Sequence, residues 1–183
     1  MIVNNGSYVA GGLRNCSCDM AEGYTYNQGV ILGGVGQLYV ATPQHKAETR
    51  AELIAAAEGI AMGVVRSGSR WLSKSGVLVE PCEASGCNAD GTQFKGIFVR
   101  YLREYLDLVC PESSQKNSQE CASPNADLFR QFLQANARSV WTSARSQSDR
   151  LSVHWCGPPP QQNDTNGAIA QTSGIDALLA VVG

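Results

Sequence analysis

Seven cysteines and two histidines are the side chains in this sequence best suited to metal or redox chemistry. None of the cysteine gaps makes a zinc pattern. Cys16-Ser17-Cys18 is too tight for a zinc knuckle, and His45 and His154 lie far from any Cys-x-x-Cys pair. Cys82 with Cys87, and Cys110 with Cys121, read instead as local staples, each inside a turn-rich segment. Such staples are oxidised in exported proteins. Three N-x-[ST] sequons, at Asn5, Asn15 and Asn163, agree with that compartment and are glycosylation candidates. Residues 1–20 nevertheless carry neither the basic nor the apolar region of a signal peptide. Either export is wrongly inferred, or the true N-terminus lies upstream. The odd cysteine count fits the second explanation, because Cys16, Cys18 and Cys156 leave one thiol without a partner in the chain.

The elements that must carry these residues are helical. At 183 residues the chain has the length of one medium domain, and 43% apolar content argues against disorder. A net charge of −2 argues against a nucleic-acid partner. No window has the run of apolar residues needed to cross a membrane as a helix. Helical spacing predicts five helices: 28–41, 46–65, 94–109, one opened by Ser123-Pro124 and running to about Trp141, and 168–182. The third turns Phe94, Ile97, Phe98, Tyr101, Leu102 and Tyr105 inward. Gly33, Gly34 and Gly36 interrupt the first helix at roughly 1 kcal/mol each, which predicts a second backbone packed closely there. Ser123 and Pro124 have the residue types of an N-cap and a first helical position. Trp71 and Trp141, at helix ends, are expected to pack. Residues 77–80 and 151–155 alternate as short strands within loops. The expected class is all-α with paired helices, long Cys-containing loops and short β stretches. Residues 1–22 are read as an irregular N-terminal segment ahead of a helical domain at 23–183.

Four blocks then occur in order: Thr25-Tyr26-Asn27-Gln28-Gly29-Val30, Glu80-Pro81-Cys82-Glu83, Gln93-Phe94-Lys95-Gly96-Ile97-Phe98-Val99-Arg100 and Ala170-Gln171-Thr172-Ser173. With them the chain resembles glycoside hydrolase family 76, the mannan endo-1,6-α-mannosidases. Cys87-Asn88-Ala89-Asp90 ahead of the third block is similar to the fungal secreted members. The resemblance implies an (α/α)6 toroid, of which five helices are about half, and it places these blocks in the C-terminal part of the family domain. It implies hydrolysis of α-1,6-linked mannan, or remodelling of mannose-containing cell-wall glycans, by a secreted or wall-bound protein without metal or organic cofactor. The family's catalytic signature is a pair of adjacent aspartates. Here the seven aspartates stand at 19, 90, 107, 127, 149, 164 and 176, and no two are adjacent. The pair and the export signal are therefore expected upstream, and a non-catalytic carbohydrate-binding or cell-wall remnant is the alternative.

Glycoside hydrolysis generally needs two carboxyl groups flanking the scissile bond. Glu80, Glu83 and Asp90 are expected to be turn-forming or surface groups rather than substitutes for that pair. Asp176 is expected to be a buried hydrogen-bonded residue or part of an outer helix face. Sugar contact is expected from polar and aromatic residues at helix starts facing the toroid mouth: Tyr26, Asn27 and Gln28; Gln93, Phe94 and Lys95; Trp155; and Gln171 with Thr172. The competing role for Asn27 and Gln93 is to satisfy the free amides of a helix start, and for Phe94 to join the core stripe. Half a toroid would expose the apolar inner and edge faces of its helices.

Overall fold

A computed structural model of the chain describes residues 7–9, 16–18, 23–111, 121–161 and 167–182. The sequon asparagines Asn5, Asn15 and Asn163 lie outside these residues. Two short strands, β1 (Ser7–Val9) and β2 (Cys16–Cys18), pair antiparallel with Ser7 opposite Cys18. They stand where the sequence predicts only irregular chain. Among the described residues five α-helices follow: α1 (Thr25–Ala41), α2 (Ala47–Val65), α3 (Ala89–Val109), α4 (Ala126–Ser143) and α5 (Gly167–Leu179). The all-α expectation holds.

Helix α3 is the centre. Its buried stripe, Phe98, Leu102, Tyr105, Leu106 and Val109, follows the helical period. It lies between α1 and α5, and all three run in the same direction. Gly29 meets Phe98, Gly33 meets Tyr101 and Gly36 meets Leu108, so positions advance together along α1 and α3. Likewise Gly96 meets Ser173, and Arg103 reaches the carbonyl of Ala180. Helices α2 and α4 run back the other way. Arg50 near the start of α2 donates to the carbonyls of Tyr39 and Thr42 at the end of α1. The Cys110–Cys121 disulfide and the bond from Ala122 N to Val109 O turn the chain from α3 towards α4. The segments 66–88 and 144–161 therefore lie at the end where α1, α3 and α5 begin.

The helix boundaries differ from their sequence expectations for identifiable reasons. Helix α3 starts at Ala89 rather than Phe94 because the Asn88 side chain caps it, accepting from Gly91 N at 2.8 Å, with Asp90 in the first turn. Helix α4 starts at Ala126, after Asn125, not at Ser123-Pro124. The Ser123 hydroxyl is drawn to buried Glu58, donating at 2.5 Å, and Tyr105 Oη (2.9 Å) and Asn125 Nδ2 (2.6 Å) donate to the same carboxylate. One acidic side chain thus joins α2, α3 and the entry to α4. Helix α1 begins at Thr25, and α5 ends at Leu179. The two alternating stretches form single antiparallel bridges, Leu72 with Leu78 and Arg145 with Leu151, rather than ladders.

Trp71 packs as expected: it is fully buried and its indole N–H donates to Gly23 O at 3.0 Å. Trp141 does not. It is 51% exposed, and the Arg145 guanidinium lies 3.7 Å from its ring centroid. Apolar residues also stand exposed on the flanking helices, including Val30, Ile31 and Leu38 on α1 and Ile175 and Leu179 on α5.

The glycines of α1 divide by position. A Cβ at Gly29 would fall 2.7 Å from Phe98 Cα, and one at Gly33 2.3 Å from the Tyr101 ring. A Cβ at Gly34 would meet nothing within 4 Å. The close approach expected at Gly33, Gly34 and Gly36 is thus made by side chains at the first and last, is absent at Gly34, and is made by backbone at Gly29. Gly29→Ala is expected to destabilise the protein by about 1–3 kcal/mol through overpacking. Gly34→Ala is expected to stabilise it by about 0.5–1 kcal/mol through helix propensity. Urea denaturation of the two variants checks the opposite signs.

Candidate functional site

The end where α1, α3 and α5 begin gathers most of the polar and aromatic residues that the sequence singles out. Segment 66–88 reaches it through Glu80, which is 3% exposed. The Glu80 carboxylate accepts from the Thr25 backbone N–H at 3.2 Å and from the Thr25 hydroxyl. Thr25 N is one of the free amides at the start of α1, so Glu80 supplies from another segment what a local cap would supply. Burial pushes the Glu80 carboxyl up to about 7, against the Thr25 hydrogen bonds and the positive charge of Lys95.

Below Glu80 a short 3-10 helix, Pro81–Ala84, is closed by the Cys82–Cys87 disulfide and by Glu80 N donating to Glu83 Oε1 at 2.8 Å. Glu83 binds in two further directions. Its Oε1 accepts from Lys95 Nζ at 2.5 Å, and its Oε2 lies 3.2 Å from His154 Nδ1. Lys95 is fully buried; its ammonium also donates to Val153 O at 2.6 Å and lies 4.9 Å from the centroid of the Trp155 ring. Burial lowers the Lys95 ammonium from the usual lysine range, with Glu83 the main opposing influence. Segment 144–161 is thereby tied to α3 and to the Glu80–Glu83 turn at one point.

Above this charged layer three rings meet. Tyr26 and Phe94 are 4.3 Å apart between centroids, Tyr24 and Phe94 5.0 Å, and Tyr24 and Tyr26 6.4 Å. All three are partly exposed. Tyr24 and Tyr26 flank Thr25, which Glu80 holds, and Phe94 precedes Lys95, which Glu83 holds.

The structure separates the expected contact residues. Tyr26 and Phe94 come together, with half-buried Gln93 beside Phe94 in the chain. Asn27 accepts from Tyr24 N at 3.1 Å, the helix-start role. Gln28, Lys95 and Trp155, expected to face the toroid mouth, are instead fully buried. Gln171 straps segment 144–161, accepting from Leu151 N at 2.9 Å and donating to Asp149 O at 3.1 Å. Thr172 is exposed and its hydroxyl bonds back to Ala168 O within α5. Glu80 and Glu83, expected at the surface or as turn-formers, form the turn, with Glu80 buried and Glu83 half-buried. Asp176 is half-buried, 3.9 Å from Arg100, and its carboxyl is raised by burial. Tyr24 and His154 are not among the contact residues expected from the sequence. Tyr24 carries a local signal, an aromatic just ahead of a capped start; His154 carries none, because its partner is 71 residues away. Among the described residues no group of three His, Cys, Asp or Glu side chains is arranged to hold a metal. Cys82–Cys87 and Cys110–Cys121 are bonded as expected, and Cys156 is an exposed free thiol.

Parallel inner helices with antiparallel partners define part of an (α/α)6 toroid. The family model of glycosyl hydrolase family 76 matches residues 2–182, and the chain belongs to that family. The alpha-1,6-mannanase of Salegentibacter sp. HEL1_6 is similar in structure, with a TM-score of 0.68 at 22% identity, over 96% of this chain and 44% of that one. An inactive variant of that mannanase, with two consecutive aspartates changed to alanine and solved with alpha-1,6-mannotetrose, matches equally, over 43% of its length. The chain thus spans less than half the length of these solved relatives. No curated protein matches.

Glu80 sets a pH dependence. Its folded carboxyl titrates at about 7 instead of 4.5, so the folded state binds more protons than the unfolded state between those values. The resulting penalty is absent below about pH 4.5, grows as pH rises through about 7, and is constant above, reaching on the order of 3 kcal/mol. Glu80→Gln removes the titration. The stability of the wild-type protein relative to Glu80→Gln is expected to fall between pH 5 and pH 8, as measured by thermal unfolding. Parallel curves would contradict the buried titration.

Proposed function

We propose that this chain forms part of the glycan cleft of a family 76 glycoside hydrolase acting on α-1,6-linked mannan or related cell-wall mannose glycans. The observation that carries the reading is the partly exposed Tyr24–Tyr26–Phe94 cluster, mounted on a buried charged layer at the helix starts. Sugar rings offer C–H faces that pack on aromatic rings, edged by hydroxyls for polar groups. Gln93 and Thr172 are the polar members of the expected set nearest to solvent on α3 and α5. The mannanase complexes with alpha-1,6-mannotetrose and alpha-1,6-mannotriose support the choice of ligand.

Chemistry on the bond is a separate matter. An acid and a nucleophile or base must face the scissile bond at about 5–5.5 Å or about 6.5–9.5 Å. Glu80 and Glu83 are committed instead to Thr25, Lys95 and His154. The chain has no two consecutive aspartates, the pair replaced in the inactive mannanase variants. Hydrolysis is therefore assigned to the whole protein, and binding to these residues. A non-catalytic carbohydrate-binding protein is the second reading, favoured by the same absence from the sequence. Two disulfides support an exported protein in either case.

The chain is expected to bind α-1,6-mannotetraose without cleaving it. Tyr26→Ala is expected to weaken that binding by about 10-fold through loss of one aromatic face. Calorimetric titration and a reducing-end assay check both parts. Turnover by residues 1–183 alone would overturn the assignment of binding without hydrolysis, and unchanged affinity in Tyr26→Ala would overturn the aromatic platform.

A further inference from the structure

We infer that His154 is an additional ligand-contacting residue of this glycan site, held by Glu83 so that its outer ring nitrogen, Nε2, is presented to a sugar hydroxyl. The inference rests on the glycan-cleft reading and adds a residue to it.

Its basis is the contrast between a pinned backbone and an open ring. Val153 O is held by Lys95 Nζ at 2.6 Å, and His154 N donates to Ser152 Oγ at 3.1 Å. On the other side Trp155 is fully buried, with its carbonyl accepting from Ser139 Oγ at 2.8 Å. The imidazole itself is 44% exposed. Nδ1 faces Glu83 Oε2 at 3.2 Å, and that carboxylate cannot swing away, because Lys95 Nζ and Glu80 N bind its other oxygen. An ordinary surface histidine has none of these restraints. Here one nitrogen is anchored to a carboxylate only 9% exposed, and among the described residues Nε2 has no hydrogen-bond partner.

The anchor also decides what Nε2 offers. A carboxylate oxygen only accepts, so the hydrogen of a neutral His154 ring belongs on Nδ1, and Nε2 presents a lone pair. A hydroxyl can donate to that lone pair and accept from other groups. An anion is a poor fit. The neighbouring Lys95 charge is already spent on Glu83, and Glu80 adds a second carboxyl to the layer. A neutral polyol at the end of the molecule that carries the three rings is the ligand class these charges select. Preorganisation removes the cost of ordering the ring at binding.

Long-range 1H–15N spectra of the whole chain at about pH 8 test this during titration with α-1,6-mannotetraose. The His154 Nε2 signal is expected to move together with the ring protons of Tyr26 and Phe94. His154→Ala is expected to lose about 3- to 10-fold in affinity, the effect of one hydrogen bond. His154→Gln, which keeps an acceptor on a flexible stem, is expected to recover part of it at unchanged thermal stability. If the Tyr26 and Phe94 signals move while His154 does not, and His154→Ala binds normally, the inference falls and the aromatic platform stands. If His154 responds alone, the inference stands and the platform falls. If none responds, the glycan-site reading falls and takes the inference with it.

Discussion

A lysine ammonium with no exposed surface must find its counter-charge inside the protein, and Lys95 finds it in Glu83. Desolvating both ions costs several kcal/mol apiece, so such a pair is a weak source of stability but a strict geometric demand. Removing either partner would strand a buried charge. The demand is met only if the Glu80–Glu83 turn, the first turns of α3 and the carbonyl of Val153 converge on one point. The turn just ahead of α3, the start of α3 and a segment 58 residues further along are thereby brought to one place.

Everything at the candidate cleft is built on that point. Glu83 passes the constraint outward to His154 and back to Glu80, which holds Thr25 and so the start of α1. The tyrosines on either side of Thr25 then meet Phe94, the residue before Lys95. The helices must also approach closely enough for this to happen. Gly29 and Gly33 permit it by leaving room for the Phe98 backbone and the Tyr101 ring, and Gly96 does the same for Ser173 on α5. Small residues set the spacing of the inner helices, and buried charge sets the arrangement of the loops at their ends.

Much of the fold was legible before any coordinates. Helix α2 and the inner stripe of α3 follow from the 3.6-residue period, and both disulfides follow from separations of 5 and 11 residues. Boundaries were less legible where a side chain had a distant claim on it. Ser123 has the character of an N-cap but donates to Glu58, 65 residues away. Among the expected contact residues, Tyr26 and Phe94 stay partly exposed, whereas Lys95 and Trp155 turn inward.

Helical period and local spacing were enough for the helical class and the two local bridges, because each depends on neighbours within a few turns of chain, while four blocks spread from Thr25 to Ser173 carried the resemblance to the family. They could not say which polar residues at the helix starts would face solvent and which would be buried as supports. That depended on partners up to 71 residues apart, such as Glu83 and His154. A buried charge is tolerable only where packing delivers its counterpart, and packing is a property of the assembled helices rather than of any segment.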